Sequence, residues 1–180
     1  MKKIVLFLLV GFTFQSCLVT TATKAVGTVA KAGVGIVKGT VKGIGWAVSK
    51  AKGKIDEDRL NGSWKLVGIY NGSYEEYSKE RQPDVSFQSF CETSDSFIVF
   101  KSKKNKFQPL HCNNEKEEWV KYKFDFGKNP STREKENYIE YNGKNYISII
   151  DASNKTLVLE GNLLNSSIHS GKKLYLFEKN

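Results

Sequence analysis

No apolar run in this chain of 180 residues approaches the ~20 that a membrane-spanning helix needs. Histidine occurs only at 111 and 169, and neither has partners at metal-ligand spacing, so no metal site is expected. No glycine loop runs from a strand into a helix as a phosphate-binding motif requires. The acidic stretches at 115–118 and 134–136 are interleaved with lysine and read as solvated loops. With no catalytic constellation and no cofactor motif, the chain reads as a non-enzyme. Acid is absent from residues 18–54, which hold seven lysines, whereas residues 55–180 balance 19 basic against 19 acidic side chains. Composition therefore breaks near residue 55. The tract before the break has a single aromatic, Trp46, which argues against a nucleic-acid partner.

What is present begins with a leader. Lys2 and Lys3 supply a positive start, residues 4–10 a short apolar run extended by Phe12 and Phe14, and Ser16 a small residue just before Cys17. This is the pattern of a secretory signal. With Ser16-Cys17 at its end, it resembles the lipobox of bacterial lipoproteins, although Phe14 and Gln15 depart from the stricter form. The resemblance implies removal of residues 1–16, lipidation at Cys17, and anchoring in the cell envelope. Leu18 and Val19 carry no acidic sorting signal, so the expected site is the periplasm-facing outer membrane. The plainer alternative is a secretion signal with a stray cysteine. If lipidation takes Cys17, Cys91 and Cys112 remain, and an even remainder in an oxidising compartment suggests one disulfide. Two thiols that never meet is the alternative.

Residues 17–54 form the anchor and a basic, glycine-rich segment. Val34, Val37, Val41, Ile44 and Val48 alternate spacings of three and four, which predicts a helical seam. Gly35, Gly39 and Gly43 continue into Ala47 at spacing four, a ridge of small residues suited to close helix packing. On a helical projection Lys24, Lys31, Lys38 and Lys42 share a flank beside the seam, where they suit an anionic lipid surface at ~1 kcal/mol each. Seven glycines between 27 and 53 each oppose an isolated helix by ~1 kcal/mol. The segment therefore needs a membrane surface or a packed neighbour. Three readings follow: a helix lying on the membrane, a flexible spacer, and self-association through residues 27–51.

Residues 55–180 suffice for one domain. Strand signals fall at 63–70, 96–101, 106–111, 118–126, 137–141, 144–150, 156–161 and 172–178. Asn142-Gly143 between two of them is a strong hairpin signal. A short helix is expected within 75–81, and residues 128–136 read as a polar, mobile loop. About eight short strands with almost no helix predict an all-β fold, a barrel or a sandwich.

The domain resembles the lipocalin-like domains of small bacterial lipoproteins. The resemblance is carried by Gly62-Ser63-Trp64-Lys65-Leu66-Val67, then Cys91, Ser96-Phe97-Ile98-Val99-Phe100, Cys112 and Trp119. It continues through residues 146–150, Lys155-Thr156-Leu157-Val158-Leu159 and Tyr175-Leu176-Phe177, covering about residues 58–179. It implies a small antiparallel up-and-down barrel, a disulfide between Cys91 and Cys112, and an apolar cavity. The family's arginine over the tryptophan is missing, and only Lys172, Lys173 or Lys179 stand where it would be. A small apolar ligand would then meet Trp64, Leu66, Phe97, Val99, Tyr122, Phe124 and Tyr146. The same residues serve equally as a filled core, because eight strands make a barrel just wide enough to be filled. The rival to ligand binding is a structural or interaction lipoprotein.

Overall fold

The computed structural model describes residues 37–41, 44–80, 83, 85–86, 91, 95–112, 118–163 and 171–180. The first elements are β1 (Val37–Val41) and β2 (Ile44–Val48), an antiparallel hairpin in which Val41 stands opposite Ile44. This corrects the expected helix over these residues. Valine, isoleucine and threonine favour extended backbone, and the interspersed glycines each cost a helix ~1 kcal/mol. Lys38 and Gly39 therefore lie on β1, opposite Ala47 and Trp46, and not on a helical flank or ridge. Cys17, Lys24, Lys31, Gly35, Lys42 and Gly43 lie outside the described residues.

A 3-10 turn, Glu57–Leu60, leads into β3 (Gly62–Tyr70), followed by α1 (Tyr74–Lys79) and the short β4 (Val85–Ser86). Then come β5 (Ser96–Lys101), β6 (Lys106–Cys112), β7 (Val120–Lys128), β8 (Lys135–Tyr141), β9 (Asn145–Ala152), β10 (Thr156–Gly161) and β11 (Lys173–Lys179). From β5 to β11 each strand pairs antiparallel with the next, and β5 pairs with β3. β11 returns to pair with β3, Tyr175 opposite Ile69 and Phe177 opposite Leu66, which closes the ring. The result is an eight-stranded up-and-down barrel, the lipocalin-like architecture. β4 adds a two-residue flap to the far end of β3.

Pleating divides the side chains between two apolar layers. Trp64, Ile98, Phe100, Phe107, Tyr122, Ile139, Ile147, Leu159, Tyr175 and Phe177 belong to one buried cluster inside the ring. Tyr70, Ile150, Val158, Leu174 and Leu176 face outward, where Tyr74 and Tyr77 of α1 and Val48 of β2 cover them. A bulge allows β9 to serve both layers. Asp151 stands opposite Val158 but Ile149 opposite Leu159, so the extra residue Ile150 turns outward while Ile149 and Ala152 stay inside.

α1 is held by local chemistry. Ser73 accepts from the Glu76 amide, and Glu76 reaches back to the Ser73 amide, a capping box that offsets the short length. The segment after β2 is strapped to the outer wall. The Ala51 amide donates to the Ile150 carbonyl at 2.8 Å, and the Lys50 amide donates to the Tyr74 hydroxyl at 3.1 Å. Further along, the Asn137 side chain donates to the Gly53 carbonyl (2.8 Å) and accepts from the Ile55 amide (2.9 Å). The barrel thus holds the chain back to Val48, ahead of the composition break.

Candidate functional site

The expected cavity residues divide by face. Trp64 and Tyr122 are in the inner cluster, with Leu66 and Phe124 packed against it. Phe97 and Val99 are not, because Ile98 and Phe100 supply the inward positions of β5 and strict alternation turns their neighbours out. Tyr146 is displaced for the same reason: Ile147 and Ile149 take the inward positions of β9. Its ring stands on the outer wall, 6.1 Å from that of Tyr138. These three are corrected as cavity residues.

The interior is occupied by its own rings. Phe100 and Phe107 stack at 5.5 Å between centroids, and Tyr122 meets them edge-on at 5.8 and 6.0 Å. Tyr141 meets Phe107 at 5.3 Å, and Tyr175 stacks on Phe177 at 6.5 Å. Burial raises the hydroxyl pKa of Tyr122, and the nearby Glu57 carboxylate adds to the effect. Cys91 and Cys112 are disulfide-bonded with their Cα atoms 5.6 Å apart, which ties the segment before β5 to the end of β6.

On the outside, β9, β10, the turns that follow β7 and β8, and the residues just before β11 form a cleft of about 350 Å³ whose lining is about half polar. Its wall carries Tyr146 and Ser148 of β9 and Glu160 of β10, and its rim Thr132, Lys144, Asn162 and Lys172. The wall rests on a buried network that the sequence reading missed. Glu136, 3% exposed, accepts through Oε1 from Asn129 (2.8 Å), Thr132 (2.5 Å) and Ser148 (2.8 Å). Its Oε2 pairs with the Lys50 ammonium at 3.0 Å, and that ammonium also reaches Glu134 at 2.5 Å. Burial alone would raise the Glu136 pKa, but these hydrogen bonds and the Lys50 charge outweigh it and hold the carboxyl below its usual value. Burial likewise works against the Lys50 ammonium, and its two carboxylate partners overcome that and raise its pKa. Residues 128–136, expected as a mobile loop, instead turn tightly. The Asn129 amide donates to the Glu134 carbonyl and the Arg133 amide to the Asn129 carbonyl. Asn129-Pro130-Ser131 carries a turn signal that would have found it.

Glu160 supports the other side of the cleft. One carboxylate oxygen accepts from the Tyr74 amide at 2.7 Å, and the other lies 3.3 Å from the Lys172 ammonium. Among the described residues no group of His, Cys, Asp and Glu could hold a metal ion, and no helix is long and apolar enough to cross a membrane.

No family model and no curated protein matches the chain. A solved structure, the complex of bovine odorant binding protein with a selenium-containing odorant, is similar at 20% identity over 73% of this chain and 77% of that one, with a TM-score of 0.33. The barrel assignment rests on the strand pairing itself.

Proposed function

We propose that the protein is an envelope lipoprotein, lipidated at Cys17, whose lipocalin-like barrel is a non-enzymatic recognition module. The observation that carries this reading is the pairing of Cys91 with Cys112. It supports an oxidising compartment and leaves Cys17 as the lone cysteine at the end of a secretory leader. A closed barrel held by a strap at Val48 suits a head carried on a stalk. The packed aromatic interior favours recognition on the outer wall. A small apolar ligand inside is the second reading, favoured by the barrel architecture, and Phe107, Tyr122 and Tyr141 are interior rings it would meet. Association with an anionic membrane surface rests on the lysines before residue 54, and self-association through a glycine ridge loses support where Gly39 lies on a strand.

Growth on a radioactive fatty acid, with fractionation of the cells, tests the anchor. The protein is expected in the membrane fraction and labelled, and Cys17→Ser is expected soluble and unlabelled. Persistent labelling of that variant would overturn the reading. Titration with a fluorescent apolar probe separates the two binding modes. Saturable uptake that Phe107→Trp blocks would favour the interior ligand.

A further inference from the structure

We propose that the outer cleft binds a saccharide unit bearing one acidic group, a uronic acid or a sugar phosphate. The inference rests on the barrel being a recognition module and names what it recognises. Five features of the cleft point to this chemistry. Its volume of about 350 Å³ lies at the lower end of small-ligand sites, generally ~300–1,000 Å³. Its lining is about half polar, and the hydroxyls, amides and ammonium groups there are the partners a polyol needs at several positions at once, with apolar surface between them for its C–H groups. Among these groups stands the half-buried Tyr146, whose ring offers an apolar face on which the C–H face of a pyranose packs. A bare carboxylate or phosphate would have no use for that ring.

The charge balance selects the anionic sugar over the neutral one. Two ammonium groups, Lys144 and Lys172, face one carboxylate, Glu160, and Glu160 is already shared between Lys172 and the Tyr74 amide. Lys144 has no carboxylate partner among the described residues and projects from the exposed turn between β8 and β9. One positive charge among the lining residues is left to answer an acidic group on the ligand. The wall is organised before any ligand arrives. Ser148, 3% exposed, is fixed by Glu136 and Asn129, and Thr132 by Glu136, so ordering them adds nothing to the cost of binding.

The test uses the full chain in mild detergent, with sodium glucuronate and glucose 6-phosphate as probes and glucose and sodium acetate as controls. Saturation-transfer NMR is expected to light up the ring protons of both anionic sugars, with glucose weaker by about tenfold. Lys144→Gln lies on an exposed turn and is expected to keep the thermal midpoint while weakening glucuronate about fivefold or more, the loss of one charge-assisted contact. Tyr146→Leu keeps apolar bulk against Tyr138 and is expected to weaken both anionic sugars alike. Absence of saturable binding, or unchanged affinity in Lys144→Gln, would overturn the proposal. So would acetate competing as well as glucuronate, which would mark a simple anion site. Loss of sugar binding with lipid labelling intact defeats this inference alone, and loss of labelling with binding intact defeats only the anchor.

Discussion

The ammonium of Lys179 lies 4.1 Å from the centroid of the Trp64 ring. The Trp64 indole N–H donates to the Leu60 carbonyl at 2.6 Å, and the Lys179 ammonium donates to the Asn61 carbonyl. The first and last barrel strands are thus joined by their side chains as well as by their ladder. Gly62 is required by the same arrangement. Its φ of +117° is closed to ordinary side chains, and a Cβ there would come 2.6 Å from the Lys179 ammonium. Of Lys172, Lys173 and Lys179, the lysines expected to reach the tryptophan, Lys179 is the one that lies over its ring.

Replacing Lys179 with Ala is expected to lower stability by about 1 kcal/mol, the range for a cation over an aromatic face near water. Lys179→Arg should restore it, since guanidinium stacks well on indole. Gly62→Ala should cost more than about 1 kcal/mol because strain and crowding add. Urea unfolding measures all three, and a Lys179→Ala midpoint equal to the parent would remove the pair from the list of stabilising contacts.

The interior assignment makes a contrast within one hairpin. Phe107, 1% exposed and touching Phe100, Tyr122 and Tyr141, should cost about 3–5 kcal/mol on truncation to Ala. Val99 on the outer face of β5 should cost about 1 kcal/mol or less. Equal losses in denaturant titrations would mean that the two faces of β5 have been exchanged.

Much of the barrel was legible because its strands alternate and its turns are marked. Of Val120, Tyr122, Phe124 and Phe126, whose alternation reads as one face, the first three join the inner cluster, and the Asn142-Gly143 signal falls at a turn where both residues have positive φ, 49° and 73°. The cavity list failed where strands are apolar on both faces. In Phe97-Ile98-Val99-Phe100 every residue is apolar, so pattern alone does not say which pair faces inward. The helix expected over residues 37–48 failed differently: Val and Ile at alternating spacings of three and four fit a helical seam, but the same β-branched residues fit a strand pair better. Glu136 and Glu160 were invisible as anchors because a glutamate in a polar stretch is usually solvated. Their roles depend on Lys50 and Tyr74, more than eighty residues away in sequence.

Removing the Cys91–Cys112 bridge tests how far the loop it closes depends on it. The cysteines are 21 residues apart, and a loop of that size contributes ~3 kcal/mol in the chain-entropy account. Cys91→Ser with Cys112→Ser should lower stability by about that amount without changing the far-ultraviolet spectrum, because the eight-strand ladder closes through β3 and β11 independently. Loss of the β spectrum in the double variant would show that the barrel needs the bridge to form.

The strap at Lys50 carries its own pH window. The folded pKa of Glu136 is held below 4.5, so its contribution is complete above the unfolded value and is lost as pH falls through the lowered one. The folded pKa of Lys50 is raised above 10.5, so its contribution is complete below that value and is lost as pH rises through the raised one. Between these limits the strap should be flat with pH. Amide exchange at Ala51, whose N–H bonds to the Ile150 carbonyl, reports its opening. Lys50→Met should speed that exchange at neutral pH by leaving Glu136 buried without its cation. The expected cost is about 2–3 kcal/mol, at or below the range for a wholly buried pair because Lys50 still reaches water. Glu136→Gln keeps the geometry and removes the charge, so it should abolish the acid-side loss while leaving Ala51 partly protected. If Lys50→Met exchanges no faster than the parent, the apolar seat of Val48 alone holds the strap, and the ion pair is incidental to it.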